Sequence, residues 1–322
     1  MYKVLLFDGG VYRVNELYEL VEDVGGFIIQ KTQTHVQILV TLAIPEEERD
    51  VIEKKSQELG AKLTEIPLGG TEIAVVAPTL GRHHMPHPVC DIAEHLRRYG
   101  AITVVMGLAR GKGRKSAQIS AEEKALINEY DAAVFVLGNF EDCIRKEKVR
   151  LFEDIEIPVV VACGPAIDTL PNCSAVVSGV CRRVERMRRA EDIAKLEEIA
   201  EKVCKVVEER RRVIDEDPLF VHPAEVRQRI EDLPAVQKSL RPAPVVLHLD
   251  GLRVKIPYHE WKDQLASIDV YGRKLKEIAE LSDSRLDGST LIKIYSASRV
   301  ESMNQLESKE LLRDQASAYA KE

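Results

Sequence analysis

The sequence predicts an α/β protein whose central sheet is parallel and covered by helices on both faces. Short apolar runs rich in valine and isoleucine recur through the middle of the chain, and helical patterns separate the first four of them. These runs are Ile73–Ala77, Ile102–Met106, Ala132–Leu137, Pro158–Ala162 and Ala175–Ser178. Strands that are apolar throughout, with no alternation of polar residues, are typical of a sheet buried on both sides. The pattern therefore favours a flavodoxin- or Rossmann-like arrangement.

The stretches between these runs carry the signals of helices. They cover Val89–Tyr99, Ser120–Tyr130 and Glu141–Phe152. Ser120 and Glu123 have the spacing of a capping box, in which each side chain bonds to the backbone of the other residue. A longer helix is predicted over Ala190–Glu209, where an apolar stripe runs between charges of both signs.

The first part of the chain predicts a small α+β unit. Asn15–Val24 has an amphipathic helical pattern, and Val36–Ile44 has the apolar pattern of a strand. Pro45 and the glutamates after it suit the first turn of a helix, because proline needs no hydrogen bond there and carboxylates favour the positive end of the helix dipole. We expect this helix to end at Gly60.

Prolines mark a change in composition after the long helix, and we expect a boundary there. Val245–Leu249 and Arg253–Ile256 flank a turn at Asp250-Gly251, which predicts a hairpin. Leu291–Tyr295 predicts a last strand before a polar C-terminal helix. The sequence thus predicts three regions, namely the α+β unit over 1–70, the parallel domain over 71–215 and a β-rich, hairpin-containing region over 216–322.

Composition and charge exclude several classes of protein. Apolar residues form 45% of the 322-residue chain, enough for a substantial core, and the net charge of −7 argues against a dedicated nucleic-acid binder. No apolar run approaches the ~20 residues of a membrane-spanning helix, and the N-terminus reaches Asp8 and Gly9 too early for a secretory leader. We expect a soluble cytoplasmic protein whose six cysteines are free thiols or metal ligands.

Residues that bind metals converge on the segment Thr79–Cys90, directly after the first predicted sheet strand. Its metal-binding side chains are His83, His84, His87 and Cys90. Ligands of such folds bind outside the carboxyl ends of the strands, so the segment lies where a site is expected. A single histidine there would more often cap a helix or bond to a carbonyl. Three so close together, between prolines that favour an extended backbone, are harder to explain by packing.

Three further cysteines follow the third, fourth and fifth predicted strands, namely Cys143, Cys163 and Cys181. Thiolates and imidazoles ligate soft and borderline metals, including those of iron–sulfur clusters. Cys90 and Cys143 lie in the first turns of predicted helices, where the helix dipole favours the thiolate form. The alternative for each cysteine is a buried thiol that packs as a small apolar side chain, and this is the expected state of Cys173 and Cys204.

The loop Ala109–Ser116 after the second strand is basic and rich in glycine. It lacks the spacing of a Walker A motif and of a dinucleotide-binding fingerprint. Its backbone donors and cations predict a site for an anion, a phosphate or an acidic partner, and the candidate residues are Arg110, Gly111, Lys112 and Gly113. A solvated loop without a ligand is the alternative.

Short motifs spread along the chain resemble one known family. They include Gly9-Gly10-Val11-Tyr12, Gln30-Lys31-Thr32-Gln33, Gly70-Thr71-Glu72-Ile73, His83-His84, Pro86-His87-Pro88-Val89-Cys90-Asp91, Gly107-Leu108-Ala109-Arg110-Gly111, Gly138-Asn139-Phe140, Asp142-Cys143-Ile144 and Leu249-Asp250-Gly251. They are similar to the motifs of methanogenesis marker protein 7, a family of methane-producing archaea. The resemblance covers nearly the whole chain, and the histidine-rich segment that ends at Cys90 is its most specific part.

The resemblance implies an accessory subunit of the ATP-dependent complex that reductively activates methyl-coenzyme M reductase, taking the nickel of its tetrapyrrole cofactor from Ni(II) to Ni(I). The implied partners are the reductase, the C protein of the reductase operon, other methanogenesis marker proteins and an ABC-type ATPase. The implied cofactor is a complex iron–sulfur cluster at a subunit interface. Its candidate ligands within the matching motifs are Cys90, Cys143, His83, His84 and His87. Cys163, where the family has glycine, is a candidate by position alone.

Two other interpretations stay open. One is a flavodoxin-like enzyme that acts on a nucleotide or phosphorylated substrate through the loop Ala109–Ser116. The other is a non-catalytic scaffold that works through surfaces such as Arg182–Arg212. The sequence contains no recognisable catalytic constellation, which counts against the enzyme. The placement of cysteines and histidines counts against the plain scaffold, so an electron-transfer or assembly subunit is favoured.

Overall fold

The computed structural model of the protein describes residues 2–78, 88–108, 118–180 and 189–306. The chain forms two compact units. The first contains Met1–Arg211 together with Val246–Leu249, and the second contains Arg212–Val245 and the residues from Asp250 onward. The division into three regions at 70 and 215 stays a prediction.

The first unit begins with an antiparallel sheet of four strands in the order β2-β3-β1-β4. Its elements are β1 (Tyr2–Gly10), α1 (Val14–Asp23), β2 (Phe27–Gln33), β3 (Gln37–Pro45), a 3-10 turn (Glu46–Glu48), α2 (Arg49–Glu58) and β4 (Lys62–Glu65). The two helices bury Leu17, Val21 and Ile52 in the core of this sheet. The predicted helices and the strand β3 are confirmed, and Gly60 follows α2 at a φ of +66°, where glycine is favoured.

A parallel sheet of five strands follows in the same unit, in the order β6-β5-β7-β8-β9. Its elements are β5 (Glu72–Ala77), α3 (Pro88–Arg98), β6 (Ile102–Gly107), α4 (Ala121–Ile127), β7 (Ala132–Val136), α5 (Glu141–Lys146), a 3-10 turn (Lys148–Leu151), β8 (Val159–Cys163), β9 (Ala175–Ser178) and α6 (Arg189–Glu216). Every predicted strand of this sheet is present.

Two separate hydrophobic cores cover the two faces of the parallel sheet. One contains α3 and α6, through side chains such as Leu96 and Val203. The other contains α4 and α5, through Ile127 and Ile144. Residues that alternate along β5 and β7 enter opposite cores, which explains why these strands are apolar at every position. The predicted α/β class with helices on both faces is therefore confirmed.

One predicted helix of this region is wrong in length. The stretch Glu141–Phe152 was expected to be continuous, but α5 ends at Lys146 and a 3-10 turn follows. The break lets Val149, Leu151 and Phe152 enter the same core as Ile144. Burial of these side chains outweighs the local preference for a continuous helix. The capping box at α4 is present as predicted, with both Ser120–Glu123 hydrogen bonds formed.

The second unit contains short helices and antiparallel strands. Its elements are α7 (Pro223–Glu231), α8 (Pro234–Gln237), β11 (Gly251–Val254), α9 (Tyr258–Ala266), β12 (Asp269–Val270), β13 (Arg273–Lys274), α10 (Leu275–Ile278), β14 (Ala279–Asp283) and β15 (Thr290–Ile294), followed by a helical stretch over 297–306. Strand β11 pairs with β15, which pairs with β14. Strand β10 (Val245–His248) precedes β11 along the chain.

Proline positions in the second unit have a specific structural role. Pro223 and Pro234 occupy the first turns of α7 and α8, where the missing N–H would have no helical partner. These prolines thus begin helices, although the sequence pattern suggested only a break. No helix among the described residues has both the length and the apolar character needed to cross a bilayer.

Candidate functional site

The candidate site lies at the carboxyl edge of the parallel sheet, between the two strands where the direction in which successive strands are added reverses. Strand β5 occupies the position between β6 and β7, so the connection after β5 leads to one side of the sheet and the connection after β7 leads to the other. Loops diverge at such a switch point and leave a crevice outside the strand ends, where ligands of α/β proteins bind. The crevice is therefore expected at the ends of β5 and β7, and residues 79–87 after β5 lie outside the described part of the chain.

Cys90 lies in the first turn of α3, the helix that follows β5. The apolar face of this helix is defined by Val89, Ile92, Ala93 and Leu96, all buried in one core of the sheet. Cys90 lies outside this face and is exposed. Because a buried position would be needed for it to act as a packing residue, the alternative proposed for this cysteine does not apply.

Cys143 lies in α5, the helix that follows β7, and it is partly exposed. The neighbouring Ile144 is fully buried in the second core of the sheet, whereas Phe140 before the helix is 75% exposed. Helices α3 and α5 cover opposite faces of the sheet, so the two accessible thiols approach the switch point from opposite sides. The two accessible thiols thus lie on helices that follow neighbouring strands of the sheet.

Cys163 ends β8, next to β7 in the sheet, but its environment differs from that of the first two cysteines. It is fully buried, and its Sγ donates to the carbonyl oxygen of Pro165 at 3.6 Å. Burial raises the pKa of this thiol, which favours the protonated form. Burial also raises the pKa of Cys173, and that of Cys204 to about 11. These three cysteines have the properties of packed thiols in this conformation.

We expect the cysteines to differ clearly in their rates of alkylation by iodoacetamide. The thiolate is the attacking species, so a raised pKa lowers the reactive fraction near neutral pH. Cys90 and Cys143 should be alkylated first, and Cys204 should react only as the pH approaches about 11. Anaerobic labelling followed by mass spectrometry of peptides measures each site separately. Equal rates for Cys90 and Cys204 would contradict this order.

Cationic side chains lie beside glycines at the same edge of the sheet. Gly138 follows β7 with a φ of +81°, and the Nζ of Lys148 lies 3.7 Å from the position that a Cβ on this glycine would take. The Nζ of Lys148 donates to the carbonyl oxygen of Leu137. Gly179 follows β9 with a φ of +84°, and the Cε of Lys195 lies 3.2 Å from its corresponding position. The Nζ of Lys195 also lies 2.6 Å from Oε2 of Glu198, and this ion pair offsets its charge. Sequence reasoning missed both lysines, because each lies many residues after the strand whose end it approaches in the structure.

Several predicted site residues lie outside the described part of the chain. They are His83, His84, His87, Arg110, Gly111, Lys112, Gly113 and Cys181. Their roles as ligands or anion-binding residues stay predictions. Within residues 2–78, 88–108, 118–180 and 189–306, no group of three or more histidine, cysteine and carboxylate side chains is arranged to hold a metal ion. The two accessible thiols would need further ligands to complete a metal centre.

The opposite, amino edge of the sheet contains a buried polar cluster that the sequence analysis did not identify. Glu72 begins β5, and its Oε2 lies 2.9 Å from Nε2 of His248, with both side chains at most 3% exposed. Asp131, just before β7, accepts from the backbone N–H of Glu72 at 2.8 Å and of Leu249 at 2.9 Å. A charged residue at the start of β5 and another directly before β7 were the signal available in the sequence. The cluster attaches residues 246–249 to the sheet and lies away from the candidate crevice.

Comparisons with known proteins place the chain in a family. The sequence profile described as methyl-coenzyme M reductase operon protein C matches residues 2–268. Protein MJ0094 of Methanocaldococcus jannaschii is 44% identical over 302 residues, which cover 94% of this chain and 96% of that protein.

Two proteins that carry the operon name align over a shorter part. The methyl-coenzyme M reductase I operon protein C of Methanocaldococcus jannaschii is 30% identical over 107 residues, or 30% of this chain and 54% of that protein. Its counterpart in Methanococcus vannielii is 30% identical over 108 residues, with the same shares. The aligned segment thus spans about half the length of these relatives. The matches are consistent with the resemblance to a methanogenesis marker family. The chain belongs to the methyl-coenzyme M reductase operon protein C family.

Proposed function

We propose that this protein is an accessory redox subunit of the methyl-coenzyme M reductase system, and that the carboxyl edge of its parallel sheet holds or adjoins an iron–sulfur cluster. The link to the reductase is supported by the family, whose name refers to the reductase operon. The observation that carries the proposal is the pair of accessible thiols, Cys90 and Cys143, on the two connections that diverge at the switch point.

The donor set at this edge fits part of such a cluster. Cys90 and Cys143 supply thiolates, the ligands that iron–sulfur clusters require. The ammonium group of Lys148, at the end of β7, would offset part of the negative charge that thiolates and sulfides bring. A cluster held between subunits needs only some of its ligands from each chain, so two accessible cysteines are sufficient here. The remaining ligands would come from the predicted histidines or from a partner.

Within the complex, the chain would orient the cluster and attach it to the other subunits. An iron–sulfur cluster supplies one-electron transfer when bound, which is the chemistry needed to reduce nickel from Ni(II) to Ni(I). The protein's own part is to keep the thiols at a fixed edge of the sheet, with α3 and α5 anchored in separate cores. The reductase, the C protein of its operon, other methanogenesis marker proteins and an ABC-type ATPase that makes activation ATP-dependent are the proposed partners.

Anaerobic purification of the chain with its native partners tests the proposal. We expect the complex to contain iron and acid-labile sulfide, and we expect Cys90→Ala and Cys143→Ala each to lose most of that iron because a thiolate ligand is removed. Cys204→Ala is the matched control, since Cys204 is a partly buried thiol of α6 and should leave the iron content unchanged.

Two results would refute the proposal. The first is an iron-free wild-type complex that still contains its partners. The second is full iron content in both the Cys90→Ala and the Cys143→Ala complexes, which would assign all cluster ligands to other residues. Circular dichroism of each variant checks that the fold is retained, because neither cysteine belongs to the buried core of the sheet.

A further inference from the structure

The loop of residues 238–244 in the second unit presents a large apolar side chain to solvent. Leu240 is 101% exposed, the highest value among the large hydrophobic side chains of the described residues. Single exposed apolar residues are common on protein surfaces. The environment of Leu240 differs from that ordinary case in three respects, which concern its backbone, its conformational strain and its neighbouring charges.

Hydrogen bonds hold the backbone of the 238–244 loop at several points. At the start, the N–H of Ser239 donates to the carbonyl oxygen of Val236 at 3.1 Å. The guanidinium of Arg241 donates to the carbonyl oxygen of Gly288 at 2.9 Å and to that of Asp287 at 3.4 Å. Because ordering a loop costs conformational entropy on binding, a loop that is already held loses less of it.

At the end of the loop, the backbone accepts two hydrogen bonds from Lys255. The Nζ of Lys255 donates to the carbonyl oxygen of Pro242 at 2.5 Å, and its backbone N–H donates to that of Pro244 at 2.8 Å. Between these two points, Ala243 has a φ of +46°, a conformation that residues with a Cβ rarely adopt. Such strain persists only where surrounding bonds impose it, and it concentrates at binding sites.

Positive charges flank the exposed leucine. Lys238 and Arg241 are both exposed, and neither forms an ion pair with any carboxylate in the part of the chain that the structure describes. The carbonyl oxygens that Arg241 contacts do not cancel its charge. Leu240 is thus an apolar side chain between two cations whose charges are uncompensated on this surface.

From these features we propose that the 238–244 loop is a docking site for a different protein, which receives Leu240 in an apolar pocket bordered by aspartate or glutamate side chains. Burial of the leucine supplies the apolar contribution, and the two cations pair with the carboxylates at the rim. The loop is in the second unit, and the inference goes beyond the proposed cluster site in the first.

Photo-crosslinking tests this docking site in the full chain. The chain is produced with p-benzoyl-phenylalanine at position 240, which keeps an apolar side chain there, in a methanogen that contains the methyl-coenzyme M reductase system. A chain with the same group at position 213 is the control, because Val213 is also an exposed apolar residue, with 65% exposure. Cross-linked peptides are identified by mass spectrometry.

We expect a protein adduct at position 240 that is absent at 213, with the cross-linked residue next to aspartates or glutamates of the partner. The double substitution Lys238→Glu and Arg241→Glu in the same chain should lower the adduct yield by about tenfold or more, because the cations would become like charges. An unchanged thermal midpoint shows that this variant remains folded.

Any of four results would overturn the docking site. They are no protein adduct at 240 above the level at 213, an adduct with a second copy of this chain, an adduct with lipid, and a yield that charge reversal does not change. The identity of the partner tests a separate point. A partner outside the methyl-coenzyme M reductase system would leave the docking site standing and count against the proposed function.

Discussion

Replacing His248 by alanine is expected to lower the free energy of unfolding of the first unit by about 3–5 kcal/mol. The imidazole lies 2.9 Å from the carboxylate of Glu72, and both side chains are buried. Removing one member of a buried pair leaves the other in a medium of low polarity with less compensation for its lost hydration. The same substitution loosens residues 246–249, whose Leu249 N–H donates to Asp131.

Urea unfolding followed by circular dichroism, with hydrogen exchange of the β5 and β7 amides, measures this loss in the first unit. His259→Ala is the control, because its Nε2 lies 3.6 Å from Asp283 and its side chain is 81% exposed. We expect His259→Ala to lower the free energy of unfolding by less than about 1 kcal/mol, because that pair is exposed. A loss for His248→Ala no larger than that for His259→Ala would show that the buried pair does not stabilise the sheet.

Substituting alanine for Gly251 should destabilise the second unit by about 3 kcal/mol, at the upper end of the usual cost of overpacking. A Cβ at this position would lie 2.0 Å from the carbonyl oxygen of Ile292 and 3.0 Å from its carbon. Both atoms belong to the backbone of β15, with which β11 pairs, so no side-chain rotation relieves the clash. The two strands must separate locally.

Hydrogen exchange of the β11 and β15 amides reports the effect of Gly251→Ala directly, together with the urea midpoint. Gly10→Ala is a suitable control in β1, because its nearest atom, the carbonyl oxygen of Val36, would be 4.0 Å from the added Cβ. We expect Gly10→Ala to change the free energy of unfolding by no more than about 1 kcal/mol. Unchanged protection of β11 in Gly251→Ala would mean that the strands tolerate the added methyl group.

The parallel sheet could be predicted from the sequence because its strands are buried on both sides. A strand such as β7, with all five residues buried, is apolar throughout and stands out from its surroundings. Strand β2 was missed because its second half, Gln30–Gln33, is exposed and polar. Its pairing with β3 depends on backbone hydrogen bonds, which any sequence can make. A strand that is exposed and polar, such as the second half of β2, therefore leaves no hydrophobic pattern in the sequence.

The candidate site, too, could be predicted from the sequence only in part. The order of strands and cysteines along the chain was sufficient to expect Cys90 and Cys143 at one edge of the sheet, since both follow apolar runs. It did not distinguish them from Cys163, which follows a strand in the same way but is fully buried. Exposure depends on how the neighbouring loops pack, and no local pattern encodes that.

Local patterns in the sequence were thus enough to determine the fold class, the two-sided burial of the sheet and the capping box at Ser120. Only the tertiary structure showed that β5 lies between β6 and β7, which makes the connections that carry Cys90 and Cys143 diverge at a switch point. Only it joined Glu72 to His248, which lie 176 positions apart. The physical reason is that periodicity reports which face of an element is apolar, whereas strand order and buried polar pairs depend on contacts between distant segments.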